Sequence, residues 1–134
     1  MNNKLSFHSL VVEEIKSVEN LMRDQAKGNH PDLQAALDHL ITSGGKRIRP
    51  NITLLAGKML GGEVEGLITL SAAIELLHTA TLVHDDLIDG SLLRRGIPTL
   101  NSKWTPAATV LTGDFIFAKA AKLASDTNSI PVMK

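Results

Sequence analysis

The chain has 134 residues, of which 43% are hydrophobic and 21% charged, a composition that supports one apolar core in a globular protein. Its 14 Lys and Arg balance its 14 Asp and Glu, so no global field draws nucleic acid, and an aromatic content of 3% leaves little for base stacking. With no cysteine, disulfides and thiolate chemistry are excluded, and zinc would find only His and carboxylate ligands.

The N-terminus, MNNKLSFHSL, lacks the apolar core of a signal peptide, and a cytoplasmic location is expected. Phe7, Leu10, Val11, Ile15, Val18 and Met22 recur at helical spacing among Glu13, Glu14, Lys16 and Arg23, which predicts an amphipathic first helix ended by Gly28-Asn29. Pro31 starts a second helix that buries Leu33, Ala36, Leu37, Leu40 and Ile41 and stops at Gly44-Gly45. After Lys46-Arg47-Ile48-Arg49, Pro50 opens a third helix through Ile52, Leu55, Ala56 and Met59, closed by Gly61-Gly62. A fourth helix, from about Glu65 to about Asp89, is apolar nearly all round and is the expected central element. Its window Leu67 to Val83 is apolar enough to suggest a membrane span. It contains Glu75 and His78 and runs into Asp85 and Asp86, so a buried helix is the better reading. Gly96 to Ser102 reads as a loop, and Thr105-Pro106 as an N-cap before a fifth helix carrying Val110, Leu111, Phe115, Phe117 and Ala118 to about Ala124. Ser125 to Pro131 is turn-like. No strand alternation, repeat or linker is evident, so residues 1–134 are expected to form one all-α unit. A nearly wholly apolar central helix needs neighbours on every side; a chain ending at Lys134 is expected to be a fragment, or to take the missing helices from an oligomer.

The chemistry gathers at the end of the fourth helix. At about 100° per residue, Asp85 and Asp89 lie about 40° apart on one face, His78 shares that face two turns back, and Asp86 points to the side. Carboxylates one turn apart repel, and an oxygen-seeking cation between them removes the repulsion. Mg²⁺ suits such a site because it takes one or two carboxylates and fills its other positions with water and phosphate. Arg94 and Arg95 then offer forked donors to the same phosphate. The plain alternative, solvated acids at a helix end capped by Gly90, sets three acids against the helix dipole. A second basic cluster, Gly44-Gly45-Lys46-Arg47-Ile48-Arg49-Pro50, places three cations between a glycine turn and a helix start. Lys46 could serve only to complement the preceding helix end, but a cluster continuing to Arg49 is better explained by a bound anion.

GGKRIRP, followed by ELLHTATLVHDDLIDGSLLRRGIPT and LTGDFIFAKA, resembles the trans-isoprenyl diphosphate synthases, or polyprenyl synthetases, over most of the chain. The resemblance implies the N-terminal helices of the all-α isoprenoid synthase bundle. It also implies head-to-tail joining of isopentenyl diphosphate to an allylic diphosphate. Asp85 and Asp89, with Asp86 beside them, match the first aspartate-rich motif, which holds Mg²⁺ against the allylic diphosphate. Arg94 matches the arginine on that diphosphate, and Lys46, Arg49, His78 and Arg95 match the isopentenyl diphosphate site. Asp85, Asp86, Asp89 and Arg94 are thus the expected catalytic set. In such enzymes large residues four or five positions before the first Asp stop the growing tail. Here those positions are Thr81 and Ala80, both small, which implies a long product of heptaprenyl type. Phe115 and Phe117 are candidates for the floor. Nothing after Asp114 matches the family's second aspartate-rich motif, so these 134 residues alone are expected to be inactive.

Two rivals remain at this level. A phosphohydrolase could use His84-Asp85 as a metal-binding pair, but His30 and His39 form no ligand pattern with it, and Lys46, Arg49, Arg94 and Arg95 stay unexplained. A non-catalytic helical partner subunit of a prenyl synthase would not need intact aspartate and arginine motifs. An active enzyme of this family is expected to be a homo- or hetero-oligomer.

Overall fold

A long run rich in small and apolar residues decides the architecture: α4 spans Val64–Asp89, 26 residues, and Gly90 ends it in the left-handed region at φ 65°. The computed structural model describes residues 7–134; the role foreseen for the Phe7 side chain and the reading of residues 1–6 lie outside what is described. A 3₁₀ turn at Phe7–Leu10 leads into α1 (Val12–Asp24), followed by α2 (Pro31–Thr42) and α3 (Ile48–Met59). Beyond α4 come β1 (Leu93–Arg94), β2 (Ile97–Pro98), α5 (Leu100–Lys103), α6 (Pro106–Asp126) and α7 (Ile130–Met133). The described residues are all-α apart from that two-stranded ribbon.

α4 packs most heavily on α6 and then on α3 and α1. Ala73 and Ala80, seven residues apart on one face of α4, are buried, as are Thr109, Thr112, Gly113, Ile116 and Ala120 of α6, and a Cβ on Gly113 would collide with the His84 ring, so the two helices lie close together. Leu76 and Leu54, with Val18 and Met22 of α1, are fully buried around this contact. Each such side chain contributes roughly 1.5–3 kcal/mol through burial. α4 is long and apolar enough to cross a bilayer by length and composition, yet here its Ala72, Ala73, Leu76 and Ala80 belong to the common core.

α4 is not covered all round, in keeping with its need for further neighbours: Leu77 is 43% and Ile88 79% exposed. Two expectations are corrected. α3 begins at Ile48, with Arg47 as its N-cap, so Pro50 falls within the first turn instead of opening it. Residues Gly96 to Ser102 are not a plain loop; they hold β2 and most of α5. The cause is the pair Arg95 and Gly96, both at positive φ (50° and 75°), the requirement of a tight two-residue hairpin. Leu93 pairs with Pro98 and Arg94 with Ile97. Thr99 then seals the hairpin, its Oγ1 donating to the Ser91 carbonyl at 2.8 Å.

Candidate active site

The basic loop between α2 and α3, the middle of α4 and the β1–β2 hairpin enclose a cleft of about 110 Å³. Its walls include Lys46, Arg49, His78, Asp86, Arg94 and Arg95. All five cationic or imidazole groups expected at the diphosphate sites therefore share one cavity. The glycines of the basic loop serve close approach: a Cβ on Gly45 would collide with the Arg95 guanidinium, so the hairpin can lie directly on the loop. A second tie runs from His39 Nε2, 3.0 Å from the Pro98 carbonyl, joining α2 to β2.

The structure places the aspartates differently from their helical projection. Asp86, expected to point aside, is the one that lines the cleft, and it is 7% exposed. It accepts a forked pair of hydrogen bonds from Arg94, Nε to Oδ2 at 3.0 Å and Nη2 to Oδ1 at 2.7 Å. Those bonds, with the charges of Asp86, Asp85 and Asp89, outweigh burial and hold the Arg94 guanidinium more firmly charged than usual. Asp85 and Asp89 are exposed and are not cleft walls, though their charge bears on Arg94. Among the described residues no group of three or more His, Asp or Glu side chains is arranged to hold a metal. Two free carboxylates one turn apart nevertheless suit an ion that draws its remaining ligands from water and phosphate.

His78 sits in the cleft one turn beyond Glu75. Burial, then the charge of Arg49, lowers its pKa from 6.5; Arg94 and Arg95 act the same way and Glu75 opposes them. His84 faces α6 instead, with Nε2 3.2 Å from the Val110 carbonyl and 3.4 Å from Asp114 Oδ1.

The chain-length positions part company. Ala80 is 1% exposed within the core, whereas Thr81 is exposed, its Oγ1 donating to the His78 carbonyl at 2.6 Å. A separate apolar groove of about 210 Å³ is walled by Leu70, Ile74 and Leu77 of α4 and Phe117, Ala121 and Ala124 of α6, among others. Leu77, Thr81 and Asp85 follow one another at four-residue steps, so the groove points along α4 to the first carboxylate. Phe115 is not a groove wall; it packs against the core with Lys119 Nζ 5.4 Å over its ring. Sequence reasoning passed over Arg47, Glu75 and His39 as members of the cleft. A lone carboxylate in the apolar run before His78 was the available signal that a buried cation must answer it.

The sequence profile of the Polyprenyl synthetase family matches residues 30–134. Geranylgeranyl diphosphate synthase of Sulfolobus acidocaldarius is 42% identical over 117 residues, which is 87% of this chain and 36% of that protein. Decaprenyl diphosphate synthase of Rhodobacter capsulatus superposes with a TM-score of 0.89 at 39% identity, over 95% of this chain and 39% of that one. Polyprenyl synthase of Caulobacter crescentus, solved with calcium and isoprenyl diphosphate, gives a TM-score of 0.87 at 40% identity, over 93% of this chain and 38% of that one. The chain thus spans less than two-fifths of the length of each. A profile match across most of its residues, with a shared fold at this identity, makes the chain a member of the polyprenyl synthetase family.

Proposed function

We propose that this chain supplies the diphosphate sites and the first metal site of a prenyltransferase that joins isopentenyl diphosphate head-to-tail to an allylic diphosphate. The observation that carries this reading is the convergence of Lys46, Arg49, His78, Arg94 and Arg95 on one cleft beside Asp86. Five permanent cations, Lys46, Arg47, Arg49, Arg94 and Arg95, face two carboxylates, Glu75 and Asp86, around so small a space, and a bound anion neutralises the excess. Lys46, Arg49, His78 and Arg95 bind and orient isopentenyl diphosphate. Arg94, aimed by Asp86, binds the allylic diphosphate. Asp85 and Asp89 hold Mg²⁺, which when bound neutralises charge on the leaving diphosphate. The residues thus act by positioning and by electrostatic stabilisation of the departing group. The α4–α6 groove takes the hydrocarbon tail and keeps water from the allylic cation. With Thr81 small on the line from Asp85 into that groove, the product is a long chain. Exposed Ile48, Ile52 and Met59 along α3 support association with a second copy or an unlike partner, and a cytoplasmic location belongs to the same reading.

Calorimetry tests it. Isopentenyl diphosphate should bind the protein, and Lys46→Gln or Arg49→Gln should each weaken binding about tenfold or more, the loss of a charged hydrogen bond worth roughly 1.5–3 kcal/mol. Asp85→Ala with Asp89→Ala should remove the Mg²⁺ dependence of geranyl diphosphate binding. Unchanged binding in both sets of variants would end the reading.

A further inference from the structure

The basic loop carries three cations, and the middle one turns the other way. Lys46 and Arg49 are exposed, while Arg47 is 9% exposed. Its backbone lies in the left-handed region at φ 55°, a conformation disfavoured for a residue with a β-carbon and sustained only where the surroundings over-determine it. The surroundings do so from three elements. Arg47 Nε donates to Glu19 Oε1 of α1 at 3.1 Å, and Nη2 donates to the carbonyl of Ile41 near the end of α2 at 2.5 Å. Nη1 lies 3.6 Å from Glu75 Oε1 of α4. Asn51 Nδ2 donates to the Arg47 carbonyl at 2.8 Å, and a Cβ on Gly44 would collide with the guanidinium. Glu75 is 7% exposed, lines the same cleft as Lys46, Arg49 and His78, and its Oε2 has no hydrogen-bond partner among the described residues.

A buried ion pair of this kind is a poor source of stability, because desolvation offsets most of the attraction. In some proteins such pairs serve to fix one conformation. We propose that Arg47 and Glu75 are the positioning pair of the diphosphate cleft. The guanidinium, clamped by α1, α2 and α4, locks the left-handed turn of the loop, and that turn sends Lys46 and Arg49 to the cleft while their neighbour goes inward. Neither Arg47 nor Glu75 needs to touch the anion. The inference rests on the diphosphate reading above.

The test pairs thermal unfolding with calorimetric titration of inorganic pyrophosphate. In the double variant Arg47→Met/Glu75→Leu one positive and one negative charge leave together, so the net charge facing the anion is conserved. An apolar pair can also replace a buried ionic one without loss of stability, and Glu19, whose side chain is 29% exposed, then turns to solvent. The expected result is a melting temperature within a few degrees of wild type, well above that of Arg47→Met alone, with pyrophosphate affinity reduced at least tenfold. Wild-type affinity in the folded double variant would overturn the proposal, because a merely structural pair would let binding return with stability. Should the double variant not fold, the charge-preserving Arg47→Lys decides: tenfold weaker binding at a temperature where it is folded supports the clamp, and wild-type binding overturns it. Lys46→Gln is the control for the underlying reading. If wild type and Lys46→Gln bind pyrophosphate equally, the cleft is no diphosphate site and this inference falls with it.

Discussion

Asp86 gives both carboxylate oxygens to Arg94, which assigns the aspartates different work: one orients a cation, and two remain free to share an ion. His78 has a testable consequence of its own. Burial and the neighbouring arginines hold its pKa below 6.5, despite Glu75, so the imidazole is neutral near pH 7 in the free protein. A folded-state value below the unfolded one means the unfolded chain binds more protons in this range, so its effect appears as stability lost as pH falls below about 6.5. A bound diphosphate adds negative charge and raises the value, so the complex binds more protons than the free protein. The His78 contribution to affinity should therefore grow as pH falls from about 8 towards 6, with a proton uptake that adds to the ligand's own titration. Calorimetry with pyrophosphate in two buffers of different ionisation heat should detect that uptake in wild type and a smaller one in His78→Gln; equal uptake would exclude His78 as the group.

At the scale of elements, the hairpin and the groove carry the argument. The hairpin is tied to α2 by His39 on Pro98 and closed by Thr99 on Ser91, with the Arg95 guanidinium lying over Gly45. In the core, Ala80→Phe would push a large ring into the close-packed side of α4 and should destabilise the fold by about 1–3 kcal/mol or more. Thr81→Phe adds the same ring on an exposed position in line with Leu77. It should leave the melting temperature within a few degrees of wild type and weaken binding of a long allylic diphosphate more than of a short one. Equal effects on a ten-carbon and a twenty-carbon ligand would refute the tail path. The helices were legible because their ends are signalled by strong local chemistry: Pro31 and Pro106 at first turns, Thr105 accepting from the Ala108 amide at 3.2 Å, Gly90 in the left-handed cap. The hairpin was not, because two-residue strands have no period to detect and Arg95 adopts a positive φ that composition does not announce.

For the whole molecule, spacing alone paired Asp85 with Asp89 and grouped the cations, but it could not say which side chains turn inward. Arg47 and Asp86 lie in runs of like charge, and only the crossing of α1, α2, α4 and the hairpin separates the buried member from the exposed ones. The same tertiary level leaves Leu77, Phe117 and Ile88 uncovered in a chain much shorter than the relatives it resembles. The last turn of α4 has a further consequence. It contains no basic residue, so its acids face the negative pole of a long peptide dipole, at a cost of roughly 0.3–1 kcal/mol each. A divalent ion there would relieve an intrinsic tension, and its uptake should register as local tightening without any turnover. Amide hydrogen exchange at Gly90 and Ser91, whose N–H groups close that turn on Leu87 and Asp86, should slow when magnesium is added to the protein alone. In Asp85→Ala/Asp89→Ala the same amides should exchange at one rate with or without it, so the fraying of a single helical turn becomes a gauge of metal occupancy.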